Sequence, residues 1–282
     1  MEELTIIVKT FERTASLMRL LNSFSKLNLN CPILICDDSK KNCKKILDRC
    51  FPNLNLTYTH AEFDIGLSAG RNLLLAQVKT PYFVLCDDDF VFDERTDLIR
   101  ALSVIKAHAL DILGGDFYNY VTVSNFKRLI KLIFWETNKF IRLVKNKFET
   151  SRYIGQFKEN GPELNFCISH KVPNENPWIC DAVNNFFIAN TKSVRNMGGW
   201  DPELKMGEHE DFFYRCKQHH LKVAYLNAFG VRHYPIISSS YKKYRFRSFE
   251  FKTQFVKKHG FSLYKEIQVD TGLVLFEIQL NA

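Results

Sequence analysis

The sequence predicts an α/β fold, a mostly parallel sheet flanked by helices, with a less regular C-terminal half. Three observations predict it. Short apolar runs alternate with stretches of helical periodicity through the first half of the chain. The runs are apolar at successive positions, the pattern of strands covered on both faces. Thr10, Asp38 and the triplet Asp87-Asp88-Asp89 each follow such a run. A parallel arrangement gathers them at one carboxyl edge, where open α/β sheets bind ligands.

The elements follow in order. Residues 4–8 form a first strand, and Leu17, Leu20, Leu21, Phe24 and Leu27 then recur at helical spacing. Residues 32–36 are a second strand ending in Asp37-Asp38-Ser39, before a polar, lysine-rich helix over 40–50. Residues 54–59 are a third strand. Gly66-Leu67-Ser68-Ala69-Gly70-Arg71-Asn72 opens a helix running to Val78. Residues 82–86 are a fourth strand, and Leu98, Ile99, Leu102 and Ile105 mark the next helix. Beyond it, residues 125–148 carry an apolar stripe (Phe126, Leu129, Ile130, Ile133) among basic residues. That segment fits either a membrane-surface helix or a helix packed on the core with a solvated basic face. Strand-like pieces follow over 164–169 and 182–189, then the turn Gly198-Gly199-Trp200-Asp201-Pro202, a helix over 209–220 and a basic, aromatic tail over 241–259.

Bulk properties bound the possibilities. A chain of 282 residues with 46% hydrophobic and 25% charged residues buries a sizeable core, as one large domain or a domain with a subdomain. The formal charge of +8 suits anionic partners: nucleotides, acidic membrane surfaces or nucleic acid. The 8 cysteines include no C-x-x-C pair, and Cys36 and Cys86 fall on apolar strands, so reduced thiols in a cytoplasmic protein are expected. Met1-Glu2-Glu3 leads straight into a strand rather than a signal peptide, and no apolar run reaches the roughly 20 residues of a spanning helix.

The aspartate triplet is the sharpest chemical signal. Three adjacent carboxylates at a strand end repel one another and raise each other's pKa, a cost that a divalent cation removes. Hard cations such as Mg²⁺ prefer carboxylate oxygen and share it with substrate phosphates. A solvated acidic strand end is the plain alternative.

With these motifs in this order the chain resembles the GT-A-type glycosyltransferases. Gly199-Trp200-Asp201 and Glu208-His209-Glu210-Asp211 extend that match, while Lys9-Thr10-Phe11, Asp37-Asp38-Ser39, Ala69-Gly70-Arg71-Asn72, the stretch 87–92 from Asp87-Asp88-Asp89, and Asp181 with Asn184-Asn185-Phe186-Phe187 most resemble the β-1,4-N-acetylgalactosaminyltransferases of ganglioside-type glycans. Bacterial family 2-like enzymes are also similar. The resemblance spans residues 4–235 and implies a Rossmann-like GT-A sheet. It divides the chain into a nucleotide-sugar-binding half (1–115), an acceptor and catalytic half (116–240) and a basic C-terminal extension (241–282).

The resemblance also implies roles. Thr10 and Arg13 lie near the base and phosphates of a UDP-sugar, Asp38 accepts from the uracil imide, and Arg71 approaches the diphosphate. Asp87 and Asp88 bind the ribose and the metal's water shell. Asp89 ligates Mn²⁺ or Mg²⁺, with His233 as a further ligand. Asp211 is the base of an inverting transfer and Glu210 holds the acceptor sugar, although the two can exchange roles. Plainer readings stand beside each: Asp38 and Ser39 as helix caps, Arg71 and Asn72 as first-turn residues, Glu210-Asp211 as a charged helix N-terminus, His233 as a structural histidine. Trp200 either stacks on a sugar or fills the core.

Unlike the family's animal members, the chain shows no membrane anchor or disulfide context. The expectation is therefore a cytoplasmic enzyme, peripheral on the inner face of the membrane, transferring GalNAc or another hexosamine or hexose to a glycan, a lipooligosaccharide or another lipid-linked acceptor. Segments 125–148 and 241–259 would rest on anionic lipid. A nucleotidyltransferase is a second reading, but no phosphate-gripping Gly-rich loop is evident. A basic binding module is a third, which leaves the acidic clusters unexplained; no nucleic-acid fold signature is present, and no nucleic-acid partner is expected.

Overall fold

A computed structural model describes residues 2–27, 29–121, 147–235 and 248–280. In chain order the first half holds β1 (Leu4–Thr10), α1 (Thr14–Lys26), β2 (Ile33–Asp37), α2 (Lys44–Cys50), β3 (Leu56–His60), α3 (Leu67–Gln77), β4 (Tyr82–Asp87), β5 (Phe90–Val91), α4 (Leu98–Ala107) and β6 (Ile112–Val121). The second half holds β7 (Lys147–Ser151), β8 (Ile154–Asn160), β9 (Glu163–Ser169), β10 (Trp178–Cys180), β11 (Phe187–Asn190), α5 (Thr191–Asn196), α6 (Glu208–Gln218), β12 (Val223–His233), α7 (Ser248–Lys258), β13 (Leu263–Gln268) and β14 (Leu273–Gln279).

The main sheet runs β10-β12-β6-β11-β4-β1-β2-β3, with β5 on β12 and β7 on β6. The expected α/β class is present. Parallel pairing is concentrated in β3-β2-β1-β4, where sequential strands and crossover helices alternate. Beyond β4 the sheet is mixed, because β11 runs antiparallel to both β4 and β6. Both faces of the central strands are covered. Ile6 and Val8 pack with Leu17, Leu20 and Phe24 of α1, while Ile7, Phe83 and Leu85 face Leu74 and Leu75 of α3 and Phe212 and Phe213 of α6. This double burial is why Ile6, Ile7 and Val8 of β1 are apolar at successive positions.

Other boundaries differ for local reasons. Helix α2 starts at Lys44 rather than 40, because the Ser39 N–H donates to Asp37 Oδ1 at 2.9 Å and Lys40 N–H to Glu12 at 2.8 Å, holding the chain in a turn. The strand expected over 182–189 shrinks to β11. Ala182 makes only an isolated bridge to Gly155, and Asn184 turns inward to donate to the Gly115 carbonyl.

The largest difference is at the C-terminus. Residues 248–280 are not an appended tail. β13 pairs in parallel with β9 and antiparallel with β14, completing a second sheet in the order β14-β13-β9-β8. Phe255 of α7 and Tyr264 of β13 are fully buried in the same core as α6. Lys147 and Phe148 belong to β7. The rest of the amphipathic segment 125–148, and residues 241–247 of the tail, lie outside the described residues. No helix among the described residues is long and apolar enough to cross a membrane.

Candidate active site

The register of the parallel strands builds the first wall. Lys9 lies opposite Cys36 on one side and Asp87 on the other, and Thr10 lies opposite Asp37. The ends of β1, β2 and β4 therefore meet at one edge, as the spacing of the motifs predicts. Lys9 is buried; its ammonium pairs with Asp38 and donates to the Thr10 carbonyl at 2.9 Å. Its stem crosses Gly70 so closely that a Cβ there would sit 2.4 Å from Lys9 Cδ. That contact explains the glycine before Arg71. Asp38 also accepts the Gly66 N–H at 3.2 Å; burial raises its pKa against the pull of Lys9. Lys9, Thr10, Phe11, Asp38, Gly66 and Leu67 line a recess of about 50 Å³.

The three aspartates have separate partners. Asp88 is fully buried and accepts from Thr10 Oγ1 at 2.6 Å and Arg13 Nε at 3.2 Å, while its Oδ1 is 2.5 Å from Arg13 NH2. Burial pushes the Asp88 pKa up, against Arg13. Asp89 accepts from Arg13 NH1 at 2.8 Å. Burial opposes its ionisation, but His233 and Arg13 outweigh that and lower its pKa. Asp87, with 27% of its side chain exposed, opens onto the cleft and pairs with Arg71 at 3.2 Å.

Arg71 is 1% exposed and borders the cleft; its NH1 donates to Glu208 at 2.5 Å and its NH2 pairs with Asp87, so it joins β4 to α6. Arg13, on the loop after β1, is the guanidinium nearer the opening.

His233 and Asp89 lie side by side. The His233 Nε2 is 3.5 Å from Asp89 Oδ2, and Nδ1 is held by Asn119 Oδ1 at 2.6 Å. An imidazole fixed through one nitrogen, with the other turned toward a carboxylate, is a donor pair able to take a divalent cation. Among the described residues no cluster of three or more His, Cys, Asp or Glu is arranged for a metal. Two protein ligands fit a cation that takes its remaining oxygens from phosphate and water.

The second wall is the first turn of α6. Together with Arg13, Arg71, Asp87, Asn185 and Lys252, it bounds a cleft of about 440 Å³. Glu208, His209 and Glu210 line this cleft; Asp211 does not. Asp211 is fully buried and held by Arg215 Nε at 2.7 Å, His259 Nε2 at 2.8 Å and Lys258 Nζ at 3.2 Å. Burial would raise its pKa, but those partners outweigh burial and hold it at about 2. Asp211 is thus set back from the cleft behind its cationic partners. Glu210 keeps its cleft position, 3.2 Å from Lys252, which also pairs with Glu266 of β13. Trp200 fills the core. It is 1% exposed and stacks on Phe212 at 4.6 Å, and its backbone clasps Asn72 through bonds of 2.6 and 2.9 Å.

Three cleft residues were not singled out from sequence. His209 stands inside a recognised motif. Asn185, whose Oδ1 is 2.8 Å from His209 Nδ1, lies in the Asn-Asn-Phe-Phe run. Lys252 looked like one more cation in a basic tail, and no local signal marks it.

Comparison with known proteins agrees with this architecture. The fold is shared with S. aureus TarS: the crystal structure of residues 1–349 in complex with UDP-GlcNAc superposes with a TM-score of 0.60 at 16% identity, covering 90% of this chain and 65% of that one. The complex with UDP gives 0.55 at 18%, covering 88% and 64%. The glycosyl transferase family 2 model matches residues 5–161, and the chain belongs to that family of glycosyltransferases. Beta-1,4 N-acetylgalactosaminyltransferase 1 of Mus musculus is 31% identical over 216 residues, 74% of this chain and 35% of its own length. Beta-1,4 N-acetylgalactosaminyltransferase 2 of Mus musculus is 29% identical over 211 residues, with the same coverage. The chain thus spans about a third of the length of these curated relatives.

Proposed function

We propose that the chain is an inverting glycosyltransferase that moves GalNAc, or another hexosamine or hexose, from a UDP-sugar to a glycan or glycolipid acceptor. The observation that carries this reading is the shared cleft: the carboxyl ends of β1 and β4 with the start of α3 form one wall and the first turn of α6 the other. The names of the GalNAc-transferase relatives and the UDP-GlcNAc complex of TarS support a UDP-linked hexosamine donor.

In this reading the recess beside Asp38 takes the uracil, whose imide N–H suits a carboxylate acceptor. Arg13 contacts the diphosphate, and Asp87 the ribose. Asp89 and His233 hold Mn²⁺ or Mg²⁺, which when bound offsets charge on the departing UDP. Glu210, oriented by Lys252, accepts hydrogen bonds from acceptor hydroxyls.

The test is thermal melting with UDP, GDP or CMP, each with and without Mn²⁺, because a ligand that binds only the folded state raises the melting temperature. A shift confined to UDP plus Mn²⁺ is expected, and Asp89→Ala should lose it together with sugar transfer. A shift equally large without metal, or with GDP in place of UDP, would sink the donor or metal assignment.

A further inference from the structure

We infer that Lys9 is a positioning residue that makes the recess beside Asp38 select uracil over cytosine; the inference rests on the UDP-sugar reading above. Lys9 lies near the end of β1, an inner strand of the main sheet, and is 3% exposed. A lysine so deeply buried needs a partner for its charge. Its ammonium pairs with Asp38, donates to the Thr10 carbonyl at 2.9 Å and lies 5.8 Å from the centre of the Phe11 ring. Lys9 and Asp38 both line the recess.

The other charged groups around the recess are engaged elsewhere. Arg13 pairs with Asp88 and Asp89, Asp87 with Arg71, and Lys205 lies 3.7 Å from Asp64. Asp37 takes the Tyr58 hydroxyl at 2.7 Å and the Cys43 thiol at 3.4 Å. Burial pushes the nearby Cys36 thiol up to about 11, so it stays neutral. The charge of Asp38 therefore answers to Lys9, with the Gly66 N–H at 3.2 Å as the lesser partner. Burial raises the Asp38 pKa, and Lys9 is the largest pull the other way.

The two pyrimidines ask opposite things of this carboxyl. Uracil presents an N3–H, which a carboxylate accepts. Cytosine presents an N3 lone pair beside an exocyclic amine. A carboxylate repels that lone pair, whereas a protonated carboxyl donates to it and accepts from the amine. The Lys9 ammonium keeps Asp38 an acceptor with no proton to give. With a neutral side chain at position 9, the buried Asp38 takes up its proton at higher pH, and cytosine gains where uracil loses.

The experiment measures UDP and CDP affinities by calorimetry with Mn²⁺, from about pH 6 to 8.5. It compares wild type, Lys9→Met, and Lys9→Met combined with Asp38→Asn. The two ligands share ribose and diphosphate, so the ratio of their affinities cancels the metal and phosphate contributions. Wild type should prefer UDP throughout. In Lys9→Met that preference should fall by about tenfold or more at the acid end, the worth of one hydrogen bond to a charged group. It should recover as pH rises and Asp38 ionises. The double variant should show no recovery, because an amide does not titrate. Should Lys9→Met fail to melt cooperatively, Lys9→Gln, which keeps a polar end without charge, carries the same comparison. A wild-type ratio at every pH, whether both affinities hold or both fall together, would overturn the inference and leave the donor reading intact. Recovery that persists in the double variant would assign the titration to another group and also overturn it. If wild type binds neither nucleotide, the donor reading has failed, and the inference with it.

Discussion

Glu208, Glu210 and Asp211 lie within one helical turn, yet each is bound to a cation from elsewhere in the chain, Arg71 of α3 or Lys252 and Lys258 of α7. Asp211 is buried among cations, and this fixes the sign of its pH effect. Its folded pKa of about 2 lies below the ordinary 3.8, so its stabilisation is complete above pH 4 and is lost as pH falls from about 4 toward 2. The shift corresponds to about 2 kcal/mol. Asp211→Asn should therefore lower the urea midpoint at pH 7 and flatten the acid limb of the stability curve. Its UDP-dependent shift should remain, and any loss of turnover should follow the loss of folded protein. A variant of full stability with no turnover would return Asp211 to the chemistry. The acidic motif was legible as a site from sequence. The division of labour within it was not, because Lys252, Lys258 and His259 lie some 40 or more residues downstream.

At the scale of elements, helix α3 shows how a donor wall is shaped by what passes over it. Gly70 leaves room for the Lys9 stem, and Lys9 in turn neutralises Asp38. Gly70→Ala places a methyl where Lys9 Cδ and Cε now sit, each 2.4 Å from the added carbon. The expected cost is about 1–3 kcal/mol in chemical denaturation, as for other overpacked cores, with weaker UDP binding as Lys9 is displaced. Unchanged binding would mean that the Lys9–Asp38 pair does not shape the recess. The parallel strands were readable because both faces are buried and their apolar runs are continuous. β8, β13 and β14 were not, because their partners are fixed by pairing across the second sheet. β13 meets β9 about a hundred residues away, and β14 leaves Leu273, Val274 and Leu275 exposed, which blurs any core signal.

For the whole molecule, the last described segment braces the candidate site. Lys252 orients Glu210, and Lys258 and His259 fix Asp211. A chain ending at residue 247 would lose all three, bare β9 as an edge strand and empty the places of Phe255 and Tyr264. Exposed apolar edges aggregate. Such a truncation should give protein without a cooperative melting transition and with no UDP-dependent shift. A monomer that melts cooperatively would show the segment to be dispensable for folding. The large α/β core and its acidic edge were thus legible in the sequence, whereas the role of its C-terminus was hidden behind a surplus of positive charge.

The two walls of the cleft are also laced together. Leu67 N–H donates to the Lys205 carbonyl at 3.1 Å, Ser68 Oγ to the Leu204 carbonyl at 2.6 Å and Lys205 Nζ to the Asp64 carbonyl at 2.6 Å. A Cβ at Gly66 would strike Lys205. Recombining such enzymes by grafting a new acceptor half onto an old donor half would therefore fail at a cut placed between them. The stretch from Asp64 to Ser68 has to travel with residues 204–211 as one inherited block.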